Sequence, residues 1–274
     1  MQPKYIESNR KNWNERVPFH MTSELYAIED FKKGKRELRP FEKELFGHLK
    51  GKKVVHLMCH IGLDTISLAK EGAEVTGLDL ADDAIVEAKK LAQECKVKVN
   101  FVAGNVYEAD KILTEKFDIV YLSYGVLCWL NDLTKLFEVV KNLLVPGGRF
   151  VLIDDHPFLA MLNKDLQIEH AYFSNNEPER VEPEGTYADR TADIKTESYQ
   201  WWHNVADIIN SVKAAGLTLE SFNEYPFGFW PRGCTAVQHC PVRRRSHRQI
   251  HATDRADHSE RGWDERRPSG SRPG

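Results

Sequence analysis

Lys53-Val54-Val55-His56-Leu57-Met58, then Cys59-His60-Ile61-Gly62, then Leu63-Asp64-Thr65-Ile66-Ser67-Leu68-Ala69-Lys70-Glu71 is the stretch on which the fold turns. Its first part is a short apolar run, the pattern of a strand buried on both faces. Leu63–Glu71 reads as a helix, with Gly72 placed to end it in a left-handed cap. The same unit repeats outward. Glu74–Asp79 reads as a second strand and Asp82–Gln93 as a helix, capped by Asp82 or Asp83, with Ile85, Ala88 and Leu91 or Ala92 at helical spacing. Lys98–Ala103 and Phe117–Ser123 read as strands three and four. Leu133–Leu144 reads as a helix stopped by Pro146-Gly147-Gly148, and Arg149–Asp154 as strand five. Strands that alternate with helices pair in parallel through right-handed crossovers, so the sequence implies an α/β chain with a doubly wound sheet.

The flanks differ from this core. Residues 1–50 carry charged and aromatic helical patches and read as an N-terminal cap; residues 51–240 read as the main domain. Within it, residues 155–200 are polar and too long for a routine connection, which implies an insertion or lid. Tyr199–Ala215 reads as a helix through Val205, Ile208, Ile209 and Val212, and Leu217–Tyr225 alternates as a sixth strand. The segment 241–274 holds nine Arg and no Lys, with Val242 and Ile250 as its branched aliphatics. Such a segment is expected to be disordered, and the abrupt switch from lysine to arginine reads as a foreign, frameshifted or read-through tail.

Composition narrows the function classes. A formal charge of −3 over 274 residues carries no basic excess for nucleic acid. No apolar stretch reaches the roughly 18 residues of a membrane span. The N-terminus runs from Met1 into charged residues without a secretory apolar core. Five widely spaced cysteines with no C-x-x-C pair fit free thiols in a reducing cytoplasm and give no metal site. Nothing in the composition sets an oligomeric state.

In an open parallel sheet, ligands sit beyond the C-terminal strand ends near the point where strand order reverses. That nominates Met58, Cys59, His60 and Gly62 in the first turn, Asp79 after the second strand, Asn105 after the third, and Ser123 and Tyr124 after the fourth. Asp79 lies 17 residues beyond Gly62, where a carboxylate can accept hydrogen bonds from a ribose diol. Asn105 offers a donor and an acceptor to an adenine edge.

Val54–Thr65 resembles the first motif of the class I S-adenosylmethionine-dependent methyltransferases. Gly77-Leu78-Asp79-Leu80 resembles their acidic second-strand motif and Gly104-Asn105-Val106 their adenine-side motif. Phe117-Asp118-Ile119-Val120 and Leu144-Val145-Pro146-Gly147-Gly148-Arg149 resemble the signatures around strands four and five. Within that family the chain is similar to a small-molecule subgroup with a Cys-His-x-Gly-Leu-Asp-Thr turn and an Asn-x-Trp-x-Glu-Arg motif, here Asn12–Arg16. Gly185–Asp189 and Trp201-Trp202-His203 add to the likeness. The resemblance covers about residues 50–155. It implies a Rossmann-like, mostly parallel seven-stranded sheet, whose seventh strand, sought in 235–242, is missing or irregular here. It also implies S-adenosyl-L-methionine as cofactor, a small-molecule acceptor, and Leu80, Val106 and Trp13 beside the cofactor residues above. The first motif departs from the family pattern: His56, Met58 and His60 stand where it has an acid and two glycines.

Methyl transfer from a sulfonium needs alignment above all, and a base only where the nucleophile still holds its proton. His156, leaving the fifth strand in Asp154-Asp155-His156-Pro157, and Tyr124 are the candidate catalytic residues, with His20 and His203 behind them; Trp201 and Trp202 are candidates for a lid. Two other classes stay open: a non-catalytic protein on the same fold, and a nicotinamide-dependent oxidoreductase, which would need a G-x-G-x-x-G turn that Met58–Gly62 lacks.

Overall fold

Val54, Val55 and Leu57 are completely buried, as a central strand's apolar run demands, and the rest of the sheet is laid out on either side of them. The computed structural model describes residues 2–34, 38–163, 165, 167–173, 175–183 and 185–225, all within one compact unit, Met1–Gln238. The arginine-rich tail and the candidate seventh strand lie outside the described residues.

Three helices lead in: α1 (Pro3–Thr22), α2 (Ile28–Lys32) and α3 (Pro40–Phe46). The alternating core follows as β1 (Lys53–Leu57), α4 (Leu63–Lys70), β2 (Glu74–Asp79), α5 (Asp82–Glu94), β3 (Asn100–Ala103), α6 (Ala109–Ile112), β4 (Phe117–Ser123), α7 (Leu133–Leu143) and β5 (Leu144–Ile153). After it come α8 (Pro157–Ala160), β6 (Glu179–Val181), β7 (Ser198–Gln200) and α9 (Val205–Ala214). Strands one to five form a single parallel sheet in the order β3-β2-β1-β4-β5. The order reverses between β1 and β4, so the crevice for a ligand opens above those two strands.

Period-two alternation sorts the core into two layers. Val55, Leu57, Val120 and Leu122 pack with Leu136, Phe137 and Val140 of α7 and Val212 of α9. Val54, Ile119 and Tyr121 point the other way, toward Phe46, Leu49 and Leu68. Helix α5 adds Ile85, Ala88 and Leu91 to a third cluster that reaches Val17 of α1 and Phe31 of α2. No helix among the described residues is long and apolar enough to cross a membrane.

Three expectations are corrected. Strand β5 starts at Leu144, before the Pro-Gly-Gly rather than after it. Phe117 pairs with Leu144 and Ile119 with Arg149, so residues 145–148 bulge out beside Asp118, with Gly147 at φ 76°. The helix expected over Tyr199–Ala215 spans only Val205–Ala214. Asn204 starts it with a capping box to Asp207, while Ser198–Gln200 pairs antiparallel with Glu179–Val181 inside the insertion. Leu217–Tyr225 has no strand. Residues 218–225 are exposed and none pairs with the sheet among the described residues; alternation defines two faces but does not supply a neighbour to bond to.

Candidate functional site

The turn from β1 into α4 takes an unusual path. Met58, His60 and Gly62 lie in the left-handed region at φ 57°, 50° and 77°. A side chain there costs about 1–2 kcal/mol per residue, so Met58 and His60 keep a glycine-adapted backbone without being glycine. At Gly62 there is no such latitude. A Cβ would stand 2.6 Å from the Phe101 ring and 3.2 Å from Ala88 Cβ.

His56 replaces the usual acid with a neutral tie. It is buried, its Nδ1 is 2.9 Å from Thr65 Oγ1 and its Nε2 is 3.0 Å from Ser123 Oγ. Burial pushes its pKa down to about 3. One imidazole therefore bonds β1 to the first turn of α4 and to the end of β4, and its ring stacks on Tyr121 at 4.5 Å.

Asp79 closes the other side of the turn. Its Oδ2 accepts from the His60 N–H at 2.7 Å and its Oδ1 from the Ala81 N–H at 2.8 Å. Burial raises its carboxyl to about 6, against the pull of those backbone donors. Asn105 uses Oδ1 to accept from the Tyr107 N–H at 3.0 Å, starting the short 3-10 turn after β3.

The roof comes from α1 and the insertion. On one face of α1, Ser8, Asn9, Asn12 and Glu15 hydrogen-bond the chain over 195–199. Asn9 exchanges bonds with both backbone groups of Tyr199, Asn12 donates to the Thr196 carbonyl, and Glu15 accepts from the Lys195 and Thr196 N–H groups and the Thr196 hydroxyl. Trp13 and Arg16 lie on the neighbouring face, at the same i, i+3 spacing as Asn12 and Glu15. Trp13 packs on Trp129 at 5.2 Å and on His60 at 5.1 Å, and the Tyr26 and Tyr187 hydroxyls meet at 2.5 Å beside them. The Asn-x-Trp-x-Glu-Arg motif thus splits: Asn12 and Glu15 tie down the insertion, while Trp13 lines the site and Arg16 packs against the Trp13 and Trp129 rings. Glu15→Ala removes three hydrogen bonds at once. We expect a loss of about 2–3 kcal/mol and faster tryptic cleavage at Lys195 under native conditions; an unchanged cleavage rate would show that the tie is not needed.

These elements enclose a cleft of about 1090 Å³, counted to its open mouth. Trp13, Met58, Cys59, His60, Gly62, Asp79, Leu80, Asn105, Val106, Ser123 and Tyr124 all line it. His156 is not among the lining residues. Its Nδ1 accepts from the Phe158 N–H at the start of α8, and its Nε2 lies 2.7 Å from Glu224. Tyr124 lines the cleft but donates its hydroxyl to Glu42, and burial followed by the charge of Glu42 raises its pKa far above the usual phenol value. A phenol held protonated in this way orients a neighbour; it does not take a proton. Trp201 and Trp202 also lie away from the cleft. The Trp201 N–H donates to the Cys128 carbonyl, and Trp202 stacks on His170. His203 bonds to the Leu130 carbonyl. Tyr26, Tyr187 and Trp129 line the cleft without having been expected there; of the three, only Tyr187 falls in a stretch that the resemblance marks, Gly185–Asp189.

Residues 55–150 match the family model described as a methyltransferase domain. The matched stretch, about a third of the chain, runs from within β1 to within β5 and includes neither α1 nor the insertion. The ubiquinone biosynthesis O-methyltransferase of Cronobacter sakazakii is 32% identical over 124 residues, 45% of this chain and 48% of that protein. The enzyme of the same description from Vibrio vulnificus is 28% identical over 138 residues, 50% of this chain and 55% of the other. The chain therefore spans about half the length of the curated relatives it matches. Among solved structures, a DhpI–SAH complex aligns with a TM-score of 0.53 at 17% identity, covering 79% of this chain and 89% of the other. The PH0226 protein of Pyrococcus horikoshii OT3 aligns at 0.50 and 18%, covering 72% and 87%. At those identities the likeness is one of fold, the Rossmann-like methyltransferase sheet.

Proposed function

We propose that this chain transfers a methyl group from S-adenosyl-L-methionine to a small-molecule acceptor. The observation that carries the reading is that eleven residues nominated from five separate motifs converge on one cleft, at the switch point of a sheet whose sequence matches a methyltransferase-domain model. The donor set suits the cofactor. Asp79 keeps lone pairs for a ribose diol beyond the two backbone bonds it accepts. Asn105 keeps its amide N–H group for an adenine edge, and Leu80 and Val106 supply apolar walls. Gly62 and its left-handed neighbours bring backbone close to the remainder of the ligand. When bound, the cofactor supplies an electrophilic methyl group on a sulfonium. The chain's own contribution is placement: Ser123 and Tyr124 mark the end of β4, and Trp13, Trp129 and Tyr187 cover the acceptor side and exclude water.

Burial drives His20 to about 2 and His56 and His60 to about 3, with the His60 ring and then Arg16 adding to the effect at His20 and Arg16 at His60. These imidazoles stay neutral at pH 7 and hold a captured proton poorly. The reading therefore favours an acceptor that reaches the cleft already nucleophilic, or that loses its proton elsewhere.

The raised Asp79 carboxyl makes a pH prediction. Because its folded pKa lies above the ordinary carboxylate value, its contribution to stability is greatest below about pH 4 and falls as pH rises toward 6. A diol that donates to the carboxylate favours the ionised form, so the affinity for S-adenosylhomocysteine is expected to rise from pH 5 to pH 7 and then level. Quenching of Trp13 and Trp129 fluorescence is a suitable readout; a flat profile would remove Asp79 from the ligand's contacts.

A further inference from the structure

Arg16 is 91% buried by its 9% relative exposure, yet it forms no ion pair among the described residues, and its Nε has no hydrogen-bond partner. Its guanidinium lies 5.0 Å from the Trp13 ring and 5.6 Å from the Trp129 ring, both of which line the cleft. Its electrostatic neighbours are Tyr187, Cys128 and Tyr26, weak acids rather than carboxylates. Removing a guanidinium from water without a counter-charge costs several kcal/mol, and indole faces return only about 2 kcal/mol of that even when desolvated.

A second orphan stands beside it. His20 Nδ1 and His60 Nε2 are 2.8 Å apart, while His20 Nε2 and His60 Nδ1 are buried without partners. Both rings are neutral, so whichever one donates across the pair, one is left with a bare N–H and the other with a bare lone pair. A buried cation and an unpaired N–H or lone pair, gathered under the aromatic roof, form an incomplete polar network that a ligand would complete.

We propose that Arg16, backed by the His20–His60 pair, receives a carboxylate group of the methyl acceptor, so that the substrate class is an organic acid bound beside the Trp13–Trp129 pair. The assignment rests on the methyltransferase reading. A planar carboxylate matches the fork geometry of a guanidinium whose Nε has no partner. The acceptor, rather than the cofactor, is the source because Arg16 sits with Trp129 and Cys128, which follow β4, whereas Asp79, Leu80, Asn105 and Val106 follow β2 and β3.

The test uses the full chain saturated with S-adenosylhomocysteine and titrated with benzoate and with benzamide, its neutral counterpart. Wild type is expected to bind benzoate at least tenfold more tightly. Arg16→Met should abolish that preference and Arg16→Lys retain part of it, while affinity for S-adenosylhomocysteine stays within threefold. Melting curves confirm that each variant is folded, and removal of an unpaired buried charge is expected to leave Arg16→Met at least as stable as wild type. Equal binding of benzoate and benzamide by wild type overturns the proposal. So does a tenfold loss of S-adenosylhomocysteine affinity in Arg16→Met with unchanged affinity for 5′-methylthioadenosine, which lacks the amino-acid carboxylate, because Arg16 would then hold the cofactor. Failure of wild type to bind S-adenosylhomocysteine at all is a separate result and refutes the methyltransferase reading.

Discussion

Gly62→Ala is expected to destabilise the folded chain by about 3 kcal/mol, a fall in Tm of about 10 °C for a domain of this size. Two independent costs combine. The residue sits at φ 77°, where alanine pays the left-handed penalty, and the new methyl would come 2.6 Å from the Phe101 ring. Because Phe101 is 3% exposed within the cluster formed with Ile61, Ile66 and Ala88, its ring cannot swing aside freely. Pairing the change with Phe101→Leu separates the two costs: the double variant should be more stable than the sum of the single losses implies, since the clash is relieved and the backbone strain is not. Urea unfolding of all four proteins measures this. Strict additivity would mean that the turn relaxes away from Phe101 and that packing is not what requires glycine there.

Asp79→Asn is expected to weaken S-adenosylhomocysteine binding by about 30- to 100-fold, the difference between two charge-assisted and two neutral hydrogen bonds. The substitution preserves shape. However, the introduced amide has one acceptor oxygen for the two backbone N–H groups, of His60 and Ala81, that the carboxylate serves now. The turn should therefore loosen as well, with a stability loss of about 1–2 kcal/mol. The pH dependence between 5 and 7 should vanish in this variant. Retained affinity together with a retained pH profile would assign Asp79 to the turn alone.

Much of the central fold is legible in the sequence because the reasons are local. Short apolar runs and helical spacing place β1, β2, β4 and α5 within a residue or so of their observed limits, although neither Asp82 nor Asp83 caps α5, which starts from Ala81 without a side-chain cap. The strand-end residues then follow from topology, since Asp79, Asn105 and Ser123 each terminate or follow a parallel strand on one edge of the sheet. What escapes is non-local. Tyr26 and Tyr187 line the site from segments far apart in the chain, the insertion being tied to α1 by Asn12 and Glu15, and a hydrogen bond from a side chain to distant backbone leaves no periodic trace. The spacing of Asn12 with Glu15 and of Trp13 with Arg16 is the one signal that could have divided the motif into two faces. Met58 and His60 teach the converse. Read as lost glycines they suggest an eroded turn, but the backbone keeps the left-handed path and a side chain bears the strain. Alternation over Leu217–Tyr225 misled for the same non-local reason, as a strand also needs an edge to join.

The central claim is that the cleft above β1 and β4 binds S-adenosyl-L-methionine, and calorimetric titration of the full chain with S-adenosylhomocysteine tests it most directly, with NADH as comparator. The account predicts a single site of micromolar affinity, reduced as stated in Asp79→Asn, and no heat from NADH. Absence of S-adenosylhomocysteine binding by protein whose circular dichroism shows it to be folded would contradict the account. Binding of NADH in its place would point instead to an oxidoreductase.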